Sequence, residues 1–168
     1  VRVLHLVKTS DGARWAAEQV AVLVQLGHEV GVVLPADNGK MIAAWKESGA
    51  TLYYANVEVP VKNPLKLSER KKALLEIVDT FKPDLIHSHF FSTTILARLA
   101  LKNRKLPIAF QVPGPLHLEN SLFRNWDILS ARPQDFWIAS SHAIRNIYLE
   151  HNVPSSKVSM SYYGNSLE

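Results

Sequence analysis

The amino-terminal stretch VRVLHLVKTSDG, Val1–Gly12, starts with a run that is apolar at nearly every position and ends in a polar turn. A strand without alternation is buried on both faces, as in parallel sheets that lie between layers of helices. The next residues place Ala16, Val20 and Leu23 on one side of a helix, and Gly27 follows at its end. This first unit therefore predicts a β-strand followed by an amphipathic α-helix.

The same alternation continues along the whole chain. Further strands are predicted at Val30–Leu34, Leu52–Val57, Asp84–His89, Pro107–Val112, Phe136–Ala139 and Lys157–Tyr162. Helices are predicted after a cap at Asp37 or Asn38, after a cap at Ser68, and at Ser92–Leu101, Asn120–Leu129 and Ala143–Leu149, with Pro113–Glu119 irregular. Strands that alternate with helices imply right-handed crossovers and an α/β fold with a doubly wound, Rossmann-like parallel sheet. Ligands of such sheets bind beyond the carboxyl ends of the strands.

The bulk composition narrows the function classes. The chain of 168 residues has no cysteine, which excludes disulfides, thiolate metal sites and a cysteine nucleophile. No apolar run approaches the ~20 residues of a membrane span. The net charge of +4 suits an anionic partner but names none. We expect one domain over residues 1–166, with residues 167–168 a remnant of cloning.

The loop after the first strand contains Asp11, Gly12 and Arg14. A glycine here lets the backbone approach a ligand, and the amino end of the following helix favours anions. The loop lacks the GxGxxG pattern, so a dinucleotide fingerprint is absent. The alternative interpretation is an ordinary tight turn capped by Asp11.

Two histidines, His87 and His89, end the predicted strand Asp84–His89. Their spacing of two places both on one face of a regular strand. They suit hydrogen-bonding or general-base work on a hydroxyl substrate. A metal site is not expected, because no HxHxDH continuation and no nearby carboxylate follow. Alternatively, one of them, His87, is a satisfied core residue and only His89 reaches the ligand.

The loop that leaves the strand Pro107–Val112 starts at Gln111 and passes through Gly114 to His117. Two prolines flank the glycine, which gives a rigid loop suited to a binding wall. A plain strand exit is the alternative.

A basic cluster follows the third predicted strand. Its members are Lys62, Lys66, Arg70, Lys71 and Lys72. Cations at the amino end of a helix are unfavourable with the helix dipole, which suggests a use other than stability. The cluster is interpreted either as a solvated helix start or as a patch that contacts acidic lipid. Nucleic acid is not expected, because the patch is short and has no interleaved aromatic residues.

Three segments together resemble the amino-terminal domain of family 4 retaining glycosyltransferases of the GT-B fold. They are LVQLGHEVGVVLP at 23–35, PDLIHSHFFSTTILARLAL at 83–101 and FWIASSHAIRNIYLEHNVPSSKVSMSYYG at 136–164. The second is similar to the family's strand that ends in His-x-His, and the third to the run that leads into the interdomain crossover. The resemblance covers essentially the whole chain.

The resemblance implies transfer of a sugar from a nucleotide sugar to a glycan or lipid-linked acceptor, with retained anomeric configuration. The amino-terminal domain would bind acceptor, and a carboxyl-terminal domain, absent here, would hold most of the donor site. The isolated domain is then expected to be inactive and to need no cofactor or metal. A cytoplasmic location, peripheral on the inner membrane face, is implied.

The resemblance also implies roles for single residues. His89 is expected to face the interdomain cleft and contact a sugar, and His117 is the other catalytic candidate. The remaining substrate-binding candidates are Asp11, Gly12, Arg14, His87, Gln111, Gly114, Tyr163 and Gly164.

The chain departs from the family pattern in three places. Pro113 stands where the family often has a histidine, Tyr163-Gly164 replaces Asn-Gly, and the first loop lacks Gly-Gly. A stand-alone Rossmann-like module that binds a nucleotide or anion without catalysis remains the alternative function.

Overall fold

The computed structural model describes residues 1–163, and these contain one seven-stranded parallel sheet. The strands are β1 Arg2–Leu6, β2 Glu29–Leu34, β3 Thr51–Tyr54, β4 Leu85–Ser88, β5 Ile108–Val112, β6 Phe136–Ala139 and β7 Val158–Met160. The helices are α1 Arg14–Gln25, α2 Ile42–Glu47, α3 Leu67–Phe81, α4 Phe91–Ala100, α5 Leu116–Glu119, α6 Ser121–Ser130 and α7 His142–Glu150. Short 3₁₀ turns cover Pro64–Lys66 and Ser155–Lys157. The predicted doubly wound α/β fold is confirmed.

The spatial order of the strands is β3-β2-β1-β4-β5-β6-β7. The chain builds outward from β1 to β3 and then returns to place β4 on the other side of β1. This reversal makes β1 and β4 the switch point, where open α/β sheets form their ligand crevice. In the β1–β4 register His5 lies beside His87. The fold therefore brings these two histidines to the strands that border the crevice.

Helices cover both faces of the central strands, as the continuous apolar runs predict. On one face, Leu4, Leu6 and Ile86 pack under α3 and α4. On the other, Val7 and Val32 pack under α1 and α2. A third cluster, around Phe110, Trp137 and Tyr148, holds α5 to α7 against β5 to β7. No helix within residues 1–163 is long and apolar enough to cross a membrane.

Two predicted helix caps are wrong. The N-cap of α2 is Met41 instead of Asp37 or Asn38, and neither its side chain nor that of Lys66, the N-cap of α3, bonds to the helix. Ser68 does not cap α3, because the 3₁₀ turn Pro64–Lys66 runs directly into the helix and Ser68 lies inside it.

One helix was missed, since α5 lies in the segment predicted as irregular. It starts directly after Pro115 and is a single turn of four residues. Asn120 then caps α6 as a separate helix, because its side-chain oxygen accepts from the backbone amides of Leu122 and Phe123. The segment is therefore a two-helix corner above the end of β5.

Candidate functional site

The loops after β1 and β2 pack directly on each other at the carboxyl edge of the sheet. The backbone amide of Met41 donates to the carbonyl of Ser10 at 3.0 Å, and the amide of Lys40 donates to Asp11 Oδ1 at 3.0 Å. Gly39 has φ +133°, and a Cβ there would lie 2.6 Å from the Ser10 carbonyl oxygen. Only glycine fits this contact, so Gly39 fixes one loop against the other.

The strained residue of the first loop is Ala13, which is in the left-handed region at φ 62° and ψ 42°. It is the N-cap of α1 and makes no side-chain cap. The expected cap, Asp11, instead holds Lys40 of the second loop. Gly12 has no positive φ, and a Cβ there would make only an ordinary contact of 3.7 Å with Thr9. The chain itself therefore does not require a glycine at position 12.

Arg14 opens α1 and forms an ion pair with Glu18 one turn later, at 3.1 Å. Both side chains are substantially exposed to solvent. Arg14 therefore lies at the edge of the crevice with its guanidinium engaged along its own helix.

Three histidines, not two, meet at the switch point. His5 Nδ1 lies 2.7 Å from His89 Nε2, with ring centroids 5.0 Å apart and planes 20° apart, so these two rings lie side by side. The ring of His87 lies 4.5 Å from each of them, over their junction. The predicted common face of His87 and His89 is thus observed. His5 was missed, because its partners lie more than 80 residues away in sequence.

The expectation that His89 faces the cleft is not met. Its side chain is completely buried, and the edge of its ring meets Trp15 of α1 at a centroid distance of 5.1 Å. Residues of α1 cover the end of β4, which a strand pattern alone does not reveal. His87 is also buried, as the core interpretation predicted, and its Nε2 bonds to Gln111 Oε1 at 2.7 Å.

The three histidines are neutral at physiological pH. Burial lowers the pKa of His5 and of His89 well below the usual value, and the neighbouring His87 lowers both further. Burial lowers the pKa of His87 to about 4, although its bond to Gln111 opposes the shift. One ring nitrogen from each residue lies within 4.8 Å of the others, and neutral imidazole is the metal-binding form. The bonds His5–His89 and His87–Gln111 already engage one nitrogen of every ring. The absence of a metal stays a prediction.

A cavity of about 590 Å³ lies between α1 and the segment after β7, and it is lined by Trp15 and Gln111, which contact His89 and His87. Trp15 and Tyr163 form one wall, with ring centroids 4.6 Å apart, and Gln111 lies among the lining residues. Burial raises the pKa of Tyr163, so that it remains a neutral phenol. The structure therefore brings the predicted residues Gln111 and Tyr163 to the same cavity. Gly164 lies outside the described residues.

His117 belongs to a second polar group, on the other face of the sheet. Its Nε2 donates to Asp127 Oδ2 at 2.9 Å, and the ring stacks on Phe91 with a centroid distance of 4.9 Å. About a tenth of its side chain is exposed. The carboxylate fixes the proton on Nε2, which leaves the lone pair of a neutral ring on Nδ1. His117 and His89 are therefore in separate places, and only His117 reaches the surface.

Asp127 is the centre of this second group and is completely buried. Besides His117, it accepts from Tyr148 Oη at 2.6 Å, Arg98 Nη1 at 2.9 Å and Trp137 Nε1 at 3.0 Å. Burial acts to raise the pKa of Asp127, but the bonds from His117, Arg98 and Tyr148 outweigh it, and the pKa is lowered. Burial and the adjacent carboxylate raise the pKa of Tyr148. Asp127 is thus an ionised acceptor that holds four side chains in place.

Gly114 and the basic cluster lie at the same edge of the sheet. A Cβ at Gly114 would meet nothing within 4 Å, so the loop is open to solvent there. Lys62, Lys66 and Lys72 are exposed. Lys71 is half-buried, and Arg70 donates to the carbonyl of Glu58 at 2.8 Å. Arg70 therefore holds the loop, while the lysines form most of the exposed charge.

A family model described as Glycosyltransferase Family 4 matches residues 12–167. No curated protein sequence matches the chain. Solved structures with the same fold include Anabaena Alr3699/HepE in complex with UDP-glucose, at TM-score 0.73 and 15% identity, covering 98% of this chain and 44% of that one.

Two further solved structures have the same fold. A glycosyltransferase from Rickettsia africae has TM-score 0.69 and 17% identity, with coverage of 96% and 42%. UDP-GlcNAc 2-epimerase from Neisseria meningitidis has TM-score 0.67 and 19% identity, with coverage of 96% and 46%. The chain spans less than half the length of each, and such identities establish the fold, not the reaction.

Proposed function

Because this chain belongs to Glycosyltransferase Family 4, we propose that it forms the acceptor-side, amino-terminal domain of a retaining GT-B hexosyltransferase. The enzyme would transfer a sugar from a nucleotide sugar to a glycan or lipid-linked acceptor in polysaccharide biosynthesis. The observation that carries the proposal is the family match over residues 12–167. The UDP-glucose bound by Anabaena Alr3699/HepE supports a nucleotide-sugar donor.

The proposed division of labour follows from chain length. The related structures are more than twice as long as this chain. A second domain, beyond Glu168, would supply most of the donor site and close the crevice. This domain alone would bind nucleotide sugar weakly and would not turn over, and no metal would be needed.

We assign the sugar contact to His117 rather than His89. His89 is completely buried under Trp15, whereas His117 reaches the surface and is oriented by Asp127. A neutral imidazole with its lone pair on Nδ1 can accept a hydrogen bond from an acceptor hydroxyl. Retaining transfer in this fold would otherwise need positioning and charge stabilisation from the protein, not a side-chain nucleophile.

The loops that border the crevice would bind the substrates. Asp11 would accept from sugar hydroxyls, and the uncapped amino end of α1, with Gly12 and Arg14 beside it, would face phosphate or acceptor oxygens. Gln111, Gly114 and Tyr163 would line the acceptor path. His87 would contribute only by orienting Gln111, since it is buried.

The first test is binding of UDP-sugars and other nucleotide sugars, followed by ligand-detected NMR, to the full-length protein and to this domain. Binding by the full-length protein with much weaker binding by the domain supports the divided site and identifies the donor. Binding of equal strength by the domain alone contradicts the proposal.

A second test addresses His117. In the full-length enzyme His117→Ala should lower kcat by about 10²-fold or more, the usual range for a proton-transfer or hydrogen-bonding partner. His28→Ala is the matched control, because His28 precedes β2 at the opposite edge of the sheet. Equal activities of the two variants would exclude His117.

The alternative function is a stand-alone nucleotide- or anion-binding module without catalysis. It is favoured by one observation, the amino end of α1 at the crevice without a side-chain cap. It requires tight UDP binding by residues 1–168 and no transfer by the full-length protein with any donor.

We also propose that the enzyme works in the cytoplasm and contacts the inner membrane face through the basic cluster. Lys62 and Lys66 are exposed and alternate with Val61 and Leu65, which are 83% and 91% exposed. Apolar tips between cations suit a bilayer with acidic lipid.

A further inference from the structure

Helix α6 turns its leucines outward and its aspartate inward. Among its ten residues the only buried one is Asp127. Leu122 and Leu129 are 69% and 82% exposed, and the residues Phe123 and Trp126 are 40% and 39% exposed. A surface helix normally buries its apolar stripe against the core. This helix therefore leaves its two leucines largely uncovered and its two aromatic residues partly covered.

The inverted orientation is fixed by the hydrogen bonds of Asp127. Four side chains on α4, α5, β6 and α7 donate to this carboxylate, so it cannot turn towards solvent without leaving them unpaired. Leu122, Trp126 and Leu129 stand at i, i+4 and i+7 and hence form a stripe on the far side. The exposed stripe is thus a built feature of the fold.

Helix α4 connects α6 to the basic loop between β3 and α3. At the first turn of α4, Ser92 Oγ accepts from the backbone amide of Val59, the residue that leads into that loop, at 2.9 Å. The preceding residue, Phe91, contacts Phe123 and Trp126 with centroid distances of 5.6 and 5.8 Å. Two successive residues of α4 therefore join the loop to α6.

We propose that the α6 stripe and the loop of residues 61–66 form one docking surface for a bilayer that contains acidic phospholipid. The loop supplies Lys62 and Lys66 for the headgroups, and the stripe supplies leucines and a tryptophan for the boundary with the acyl chains. This inference rests on the membrane contact proposed above and does not depend on the transfer reaction.

A bilayer fits the surface better than a second protein. A helix of ten residues is ~15 Å long and covers on the order of 150 Å², far below the ~800 Å² per partner of a stable interface. Peripheral membrane binding needs only a short apolar insertion reinforced by cations. Trp126 also fits a bilayer, because tryptophan is enriched at membrane–water interfaces.

The test uses the full-length protein and vesicles of phosphatidylcholine, with and without phosphatidylglycerol. Leu122→Ser with Leu129→Ser should reduce partitioning onto the mixed vesicles by roughly tenfold or more, since each leucine loses apolar burial. The matched control is Val1→Ser with Leu26→Ser, two residues of similar exposure at the opposite, amino-terminal edge of the sheet. It should partition like the parent protein. Thermal unfolding of both double variants checks that they are folded.

Two further readouts separate the sources of binding. Lys62→Gln with Lys66→Gln should abolish the preference for phosphatidylglycerol. Brominated lipid should quench the protein's fluorescence, and Trp126→Phe should remove most of that quenching. Transfer to a soluble acceptor should be unchanged in all these variants, which keeps the outcome separate from that of the proposed function.

Three results would overturn the inference. The first is equal partitioning by the α6 double variant and the control double variant. The second is quenching that persists in Trp126→Phe. The third is absence of vesicle binding together with a dimer that Leu122→Ser and Leu129→Ser dissociate, which would make a second copy the occupant.

Discussion

Replacement of Asp127 by Asn should be among the most destabilising conservative changes in this domain. The substitution keeps the shape of the side chain but removes its charge and turns one acceptor into a donor. Arg98, only 3% exposed, then loses its ion-pair partner. Breaking a buried ion pair on one side costs ~3–5 kcal/mol. Asp135 Oδ2 lies 3.7 Å from Arg98 Nε and compensates part of the charge, so we expect about 3 kcal/mol.

Urea unfolding, followed by far-UV circular dichroism, measures this change. With a domain stability of ~5–15 kcal/mol and a slope of ~1–3 kcal/mol/M, the urea midpoint should fall by about 1 M or more. Asp79→Asn is the matched control. Asp79 also forms an ion pair with an arginine, Arg104, through two contacts at 2.9 and 3.2 Å, but both side chains are about half exposed. Its midpoint should stay within experimental error, because water screens exposed pairs.

A double variant tests the cause. Arg98→Met removes the cation, so Asp127→Asn should cost less in that background than alone, because no unpaired buried charge is left. If Asp127→Asn is no worse than Asp79→Asn, or if the two changes at 98 and 127 simply add, the reasoning about the buried ion pair is wrong.

Three further predictions concern the loops and the buried histidines. Ala13→Gly should raise the free energy of unfolding by about 0.5–1 kcal/mol in urea titrations, because it relieves a left-handed alanine; no gain would contradict the strain. Gly39→Ala should lower the thermal midpoint by several degrees through its clash with Ser10, and an unchanged midpoint would show that the loops adapt. His87 has a folded pKa of about 4 against ~6.5 in the unfolded chain, so its contribution to stability is complete above pH 6.5 and is lost as pH falls towards 4. His87→Gln should therefore reduce the slope of unfolding free energy against pH in that window by about 1.4 kcal/mol per pH unit. The exposed control His142→Gln should keep the slope of the parent protein.

The sheet was predictable from sequence because its signals are local. The apolar run Val1–Val7 and the strand before His87 show burial on both faces without knowledge of their neighbours, and the structure places β1 and β4 there. The prediction of an irregular segment at Pro113–Glu119 was wrong in part. Prolines indicate a loop, yet Pro115 is well suited to start a helix, and α5 begins directly after it. Strand positions thus followed from continuous apolar runs, whereas helix starts depended on single residues.

The candidate site was harder to predict, because its parts meet through long-range packing. His5 joins His87 only through the β1–β4 register, and His89 is covered by Trp15 of helix α1, which is distant in sequence. Periodicity alone would turn the leucines of α6 inward. The hydrogen bonds to Asp127 come from residues up to 29 positions away and reverse that orientation. Residue types were therefore foreseeable, but their exposure was not.

The side-by-side rings of His5 and His89 have a consequence for tautomers. A single proton lies between His5 Nδ1 and His89 Nε2, so whichever neutral ring accepts it must carry its own proton on its outer nitrogen. Those outer nitrogens, His5 Nε2 and His89 Nδ1, have no hydrogen-bond partner within the described residues. Either tautomer therefore leaves one buried N–H without a protein acceptor, at a cost of ~1–3 kcal/mol. The two arrangements differ only in which side of the switch point carries that unmet donor, and their exchange requires two protons to move, the shared one and the one on an outer nitrogen.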